Sequence, residues 1–109
     1  MLALAGAALP AAAAATAIAA IVASPATYDG QQLDVTGTVG DVKTKTSKKG
    51  NPYTTYTLCD GGACIHVFTF GSPKLADGAS LTVHGTFIAV KHVGTLTIKN
   101  ELDVDDDDQ

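Results

Sequence analysis

Val35-Thr36-Gly37-Thr38-Val39 and Val83-His84-Gly85-Thr86-Phe87 are two copies of one phrase, in which apolar and polar residues alternate and a glycine stands where the inward series calls for bulk. Alternation of period two is the mark of a half-buried strand. A glycine inside such a strand signals a bend, a bulge or a close backbone approach. Two of them in a chain of 109 residues point to a small, strongly coiled β-barrel.

Working outward from the two phrases, five strand-like runs emerge, each bounded by turn residues. Leu33 to about Lys45 is the first, ended by Ser47-Lys48-Lys49-Gly50-Asn51-Pro52. Tyr53 to Cys59 is the second, and Asp60-Gly61-Gly62-Ala63 makes a tight hairpin into the third, Cys64 to Phe70. Ser72 to Gly78 holds a proline and is too short for more than a turn. Ser80 to Val90 and Thr95 to Val104 are the fourth and fifth, joined around Gly94.

The chain's two ends differ from this middle. Residues 1–15 carry no charge and run from Leu2, Leu4 and Leu9 through Pro10 into alanines that offer small-x-small cleavage sites, the pattern of a secretory signal peptide. The basic residues that usually open such a signal are absent. A retained apolar helix, acting as an anchor or filament stem, is therefore the alternative; the predominance of alanine gives it a weak gain on entering hydrocarbon. With the signal cleaved, no stable membrane insertion is expected and the protein is secreted or periplasmic. Residues 16–104 form the domain, opening with a short helix that carries Ile18, Ile21 and Val22, is N-capped by Thr16 and is stopped at Ser24-Pro25. Residues 105–109, Asp-Asp-Asp-Asp-Gln, are too charged to pack and read as a disordered acidic tail.

A short helix, V-x-G-x-V, a basic loop, Y-x-x-Y-x-L-x-D from Tyr53 to Asp60, a hairpin, a connection ending Asp77-Gly78, V-x-G-x-F and a last strand resemble an oligonucleotide/oligosaccharide-binding (OB) fold of the tRNA-anticodon-binding type. The chain is more closely similar to the small exported OB-fold proteins of bacteria, and the resemblance covers about Ile18 to Val104. It implies an all-β, five-stranded Greek-key barrel preceded by a short N-terminal helix. One departure is that the family usually carries a helix between strands three and four, which would leave one barrel end less covered here. OB barrels host many functions, so the resemblance implies a fold more than an activity.

Strand parity reaches individual side chains. The combination that brings the two cysteines to a common face turns Tyr56, Leu58, Ile65 and Val67 inward and Tyr53, Cys59, Cys64, His66, Phe68 and Phe70 outward; a single bulge would flip part of it. In OB folds this outer face and the loop after strand one bind oligomers by stacking rings on bases or sugars. The competing reading is that Phe68 and Phe70 fill the barrel. Cys59 and Cys64 sit at the ends of a hairpin in an exported domain, and a disulfide is expected. A metal or redox role is the lesser reading, since C-x-x-C is absent and His66, His84 and His92 are scattered; no metal and no cofactor are expected.

Charge adds a direction. Lys43, Lys45, Lys48 and Lys49 are four of seven lysines, gathered in or beside the first loop, and there is no arginine. Local positive charge favours phosphates, whereas the missing guanidinium counts against base-specific readout. A solvated, solubilising turn is the plain alternative. The net charge is −4, and five of the eleven carboxylates are Asp103 and Asp105 to Asp108. Without them seven lysines face six carboxylates, a balance of +1. No G-x-S-x-G, H-E-x-x-H, Walker or dinucleotide phrase occurs, so an enzyme is not expected. The expected function is non-sequence-specific binding of single-stranded nucleic acid or another anionic oligomer. The alternative is an envelope or extracellular module that docks a protein partner or assembles with itself.

Overall fold

The computed structural model describes residues 15–104. The expected leader 1–15, except for Ala15, and the acidic tail 105–109 lie outside the described residues. Two short helices, α1 (Ile18–Ala23) and α2 (Pro25–Tyr28), precede β1 (Gln32–Thr46), β2 (Pro52–Asp60), β3 (Ala63–Phe70), β4 (Ser80–Val93) and β5 (Leu96–Val104). The strands form one sheet that closes in a ring in the order β1-β2-β3-β5-β4. The pairing of β3 with β5 is parallel and all the others are antiparallel. The five expected runs are therefore all strands. No helix among the described residues is long and apolar enough to cross a membrane.

Closure depends on the length of β1. Its residues Gln32–Thr38 pair with β4 and Thr38–Thr46 pair with β2, so one strand turns from one neighbour to the other. The register shifts between Gly40 and Lys43, where Asp41 takes a φ of 52°. An extra residue of this kind bends a strand and increases its twist, which is what a sheet needs to curl shut.

The repeated glycine phrase has a symmetrical placement. Val35 pairs directly with Val83, so the two copies lie side by side and run in opposite directions about that pair. On the outer surface Thr36 and Thr82 hydrogen-bond through their hydroxyls at 2.7 Å, and the Asp34 carboxylate meets the Nδ1 of His84. Each glycine makes room for the neighbour on its far side. A Cβ on Gly37 would lie 2.8 Å from the Cys59 carbonyl oxygen of β2 and 3.0 Å from Ile18 Cδ1; a Cβ on Gly85 would lie 2.4 Å from the Asp103 carbonyl oxygen of β5. Neither glycine is among those with positive φ, so what they supply is space rather than an unusual dihedral.

Inside the ring, Leu33, Val35, Val39, Tyr56, Leu58, Ile65, Val67, Val83, Phe87 and Leu102 form one buried cluster, joined by Ile18 and Ile21 of α1. Thr54, Thr69 and Tyr56 bring polar atoms to the inward positions of β2 and β3. The Thr54 hydroxyl, fully buried, donates to the Gly71 carbonyl at 2.9 Å, which offsets the cost of desolvating it. Burial pushes the Tyr56 phenol up to about 12.

Two local expectations are corrected. Thr16 is not the N-cap: the helix starts at Ile18 with Ala17 in the cap position and no side-chain cap, because the Thr16 N–H donates to the Asp34 carbonyl at 2.7 Å and holds that residue against β1. Pro25 stops α1 and also opens a second single-turn helix, since its missing N–H costs nothing at a first helical position. As expected, the connection between β3 and β4 contains no helix. A concavity of about 380 Å³ opens there, lined by Pro73 and Leu75 of the connection and by Tyr56, Thr69, Leu81, Val83 and Val104 of the ring.

The β2–β3 hairpin turns through Gly61 and Gly62, at φ of 59° and 89°. Positive φ at both central residues is the requirement of the tight turn that suits strand twist. Cys59 and Cys64 are directly paired, with Cα atoms 4.1 Å apart, and form the expected disulfide. Closing so short a loop stabilises by roughly 2 kcal/mol on the chain-entropy account. Replacing both cysteines by serine is expected to lower the urea-unfolding free energy by about that amount, roughly 2 kcal/mol; a double variant as stable as the oxidised protein would refute it.

Candidate functional site

Alternation along β2 and β3 sorts the side chains as parity requires. Tyr56, Leu58, Ile65 and Val67 are buried, while Tyr53 and Phe68 are half-buried and His66 and Phe70 are exposed. The three rings therefore stand on the outer face. Tyr53 and Phe68 stack with centroids 5.3 Å apart and planes 26° apart; Phe70 meets Phe68 edge-on at 5.1 Å. Half of the Phe70 surface remains open to water. Offset and edge-to-face pairs hold one another in place, leaving a patch of π-surface that is already ordered.

Cross-strand register aligns the rest of the face in rows. One row runs Lys45, Tyr53, Phe70; the next runs Lys43, Thr55, Phe68, Asp103; a third runs Thr57, His66, Glu101. Two shallow concavities adjoin at Thr55 and His66. One, of about 190 Å³, is lined by Asp41, Lys43, Lys45, Tyr56 and Thr57; the other, of about 280 Å³, by Val67, Thr97, Ile98, Lys99 and Glu101. They lie on either side of Thr55 and His66, on the same strands as the rings.

The lysines separate into two groups. Lys43 and Lys45 stand on the outer face, and Lys43 lies 3.7 Å from Asp41 in a well-exposed pair that screening leaves weak. Lys48 and Lys49 sit apart, exposed on the turn between β1 and β2. That turn is tied at its base by Ser47, whose N–H donates to the Asn51 carbonyl at 2.8 Å and whose hydroxyl accepts from the Asn51 N–H at 3.1 Å.

A part of the face that parity in β2 and β3 does not reach comes from β4 and β5. Lys91 Nζ lies 4.8 Å from the Phe68 centroid, 2.8 Å from Glu101 Oε2 and 3.5 Å from Asp103 Oδ2. Glu101 is only 4% exposed. Its burial, and after that the neighbouring Asp103 carboxyl, push it up to about 7 against the pull of Lys91. Burial would lower the Lys91 ammonium, and the hydrogen bond and charge of Glu101, with those of Asp103, more than offset that and hold it above its usual value. The signal available in the sequence was Glu101 itself, the chain's one glutamate, set inside a strand. Its partner Lys91 could not be found without the β4–β5 register.

Among the described residues no group of three or more His, Cys, Asp or Glu side chains is arranged to hold a metal ion. No protein-family model, curated protein or solved structure matches this chain. What the face offers is its own chemistry: flat rings, hydroxyls and ammonium groups on one side of the sheet.

Proposed function

We propose that this chain is a binding module of the OB class, a five-stranded Greek-key barrel that holds single-stranded nucleic acid or another anionic oligomer without reading its sequence. The observation that carries this is the stacked Tyr53–Phe68 pair, extended by Phe70, standing in register with Lys43 and Lys45. Aromatic faces accept any base, and ammonium groups release counterions from any phosphate backbone. The closed five-strand order, with the face on strands two and three, supports the OB reading. Export into an oxidising compartment is part of the same reading and draws support from the Cys59–Cys64 disulfide.

Titrating a labelled oligo-dT at two salt concentrations tests it. Micromolar or tighter binding at low salt should weaken as salt rises. Lys43→Ala with Lys45→Ala should flatten the salt dependence by roughly 0.7 per lost phosphate contact, more than Lys48→Ala with Lys49→Ala does. No binding at low salt would end the proposal.

A second reading, docking of a protein partner or another copy, is favoured by Val90, Val93 and Leu96, which stand exposed around the tip of the β4–β5 hairpin. Concentration-dependent sedimentation of the protein alone would favour it over oligomer binding.

A further inference from the structure

Beside the aromatic patch lies a cluster that oligomer binding does not itself require. Lys91 stands over Phe68 and bonds two carboxylates of β5, one of them buried. The second, Asp103, presents an oxygen Oδ1 that is enclosed and has no hydrogen-bond partner among the described residues. Glu101 and Asp103 converge on the same Lys91 Nζ, at 2.8 and 3.5 Å, and the Asp103 carboxyl helps to raise Glu101. Two carboxylates around one ammonium, one of them buried and the other with an enclosed oxygen lacking a donor, are an arrangement that uptake of a proton relieves.

We infer that Glu101, Asp103 and Lys91 form a proton-controlled cluster beside the aromatic face, in which protonation of Glu101 removes a negative charge next to Lys91 and strengthens the hold on anionic oligomers. This rests on the binding reading above. The charges facing Glu101 are Lys91 from β4, His66 across the β3 pairing, and Lys99 and Asp103 on its own strand; β2 contributes only Thr55 to that concavity. With both carboxylates ionised the cluster of Lys91, Glu101 and Asp103 carries one net negative charge against an incoming phosphate. With Glu101 neutral it carries none, and the 2.8 Å bond from Lys91 to Glu101 becomes one to an uncharged acceptor, leaving the longer contact to Asp103 as the ion pair.

The direction follows from the position of Glu101. Its carboxyl is held up at about 7, so it is neutral below and ionised above that pH. Affinity therefore rises as pH falls from 8 to 6. Removing one negative charge from within about 7 Å of a phosphate at a hydrated surface is expected to tighten binding roughly three- to tenfold.

The test measures oligo-dT affinity at constant ionic strength at pH 6 and pH 8 in a His66→Asn background, so that the imidazole adds no charge change of its own. The parent is expected to bind three- to tenfold more tightly at pH 6, and Glu101→Gln to bind tightly and equally at both. A Glu101→Gln variant that keeps the full pH dependence overturns the inference. Carboxyl carbon NMR of the unsubstituted protein gives a readout free of both ligand and substitution. A Glu101 signal titrating near neutrality, with the Phe68 ring signals moving at the same midpoint, supports the device even if oligo-dT does not bind. A Glu101 signal titrating near its ordinary value, or one that leaves Phe68 unmoved, overturns it. Absence of oligo-dT binding at either pH, with the NMR coupling present, removes the binding proposal alone.

Discussion

Gly85→Ala is expected to destabilise the fold by at least about 3 kcal/mol, at the upper end of what overpacking costs. The new Cβ would stand 2.4 Å from the Asp103 carbonyl oxygen and 2.9 Å from its carbon, and both are backbone atoms that no rotamer change can move. Relief requires β4 and β5 to separate where Gly85 pairs with Val104 and Thr86 with Asp103, next to the three-residue contact that joins β5 to β3. The ring has little to spare there. Gly37→Ala is expected to cost less, since its closest backbone contact is at 2.8 Å and its other neighbours are side-chain atoms, Ile18 Cδ1 and Leu58 Cγ, each at 3.0 Å. Urea unfolding of the two variants measures both, and a Gly85→Ala protein as stable as its parent would show that the strands yield freely.

Phe68→Ala is expected to weaken binding of single-stranded oligonucleotides ten- to a hundredfold, the loss that follows from removing one stacking ring. Phe68 is the centre of the patch: Tyr53 stacks on it, Phe70 meets its ring edge-on, and Lys91 stands 4.8 Å from its centroid. Its loss removes a base-sized surface and also frees Tyr53 and Lys91 from their positions. The effect on folding should be smaller, about 1 kcal/mol, because the ring is half-buried on the outer face and contributes pair contacts rather than core volume. Fluorescence titration with oligo-dT beside a thermal melt separates the two. Undiminished affinity in a folded Phe68→Ala protein would place the ligand elsewhere.

Much of this face was legible in the chain because the signals that define it are local. Successive side chains of a strand point to opposite sides, and Cys59 and Cys64 across a four-residue turn fix the parity of both flanking strands. That Tyr53, His66, Phe68 and Phe70 share one face with the cysteines follows from those facts; that this face is the outer one, rather than the barrel filling, is shown only by the closed ring. The rest of the site depends on partners distant in sequence. Nothing local says that β5 lies parallel to β3, so nothing local brings Glu101 beside His66 or Asp103 beside Phe68. Parity fails as a guide within β5 as well. Asn100 adopts a φ of 56°, and Glu101 and Leu102, adjacent in sequence, are both buried. In the same way the lysines of one loop divided once β1 had turned: Lys43 and Lys45 belong to the face, and Lys48 and Lys49 to the turn beyond it.

The repeated V-x-G-T phrase marks the same boundary. Residue order alone determined that Gly37 and Gly85 interrupt two half-buried strands, because the period-two alternation of a strand is written in neighbouring residues. Only the tertiary structure decided what the glycines are for. Val35 pairs with Val83, and the space at each glycine is taken by a backbone carbonyl of the strand on its outer side, Cys59 for one and Asp103 for the other. Those contacts exist only once the ring has closed, and closure depends on the summed packing of all five strands rather than on any one of them.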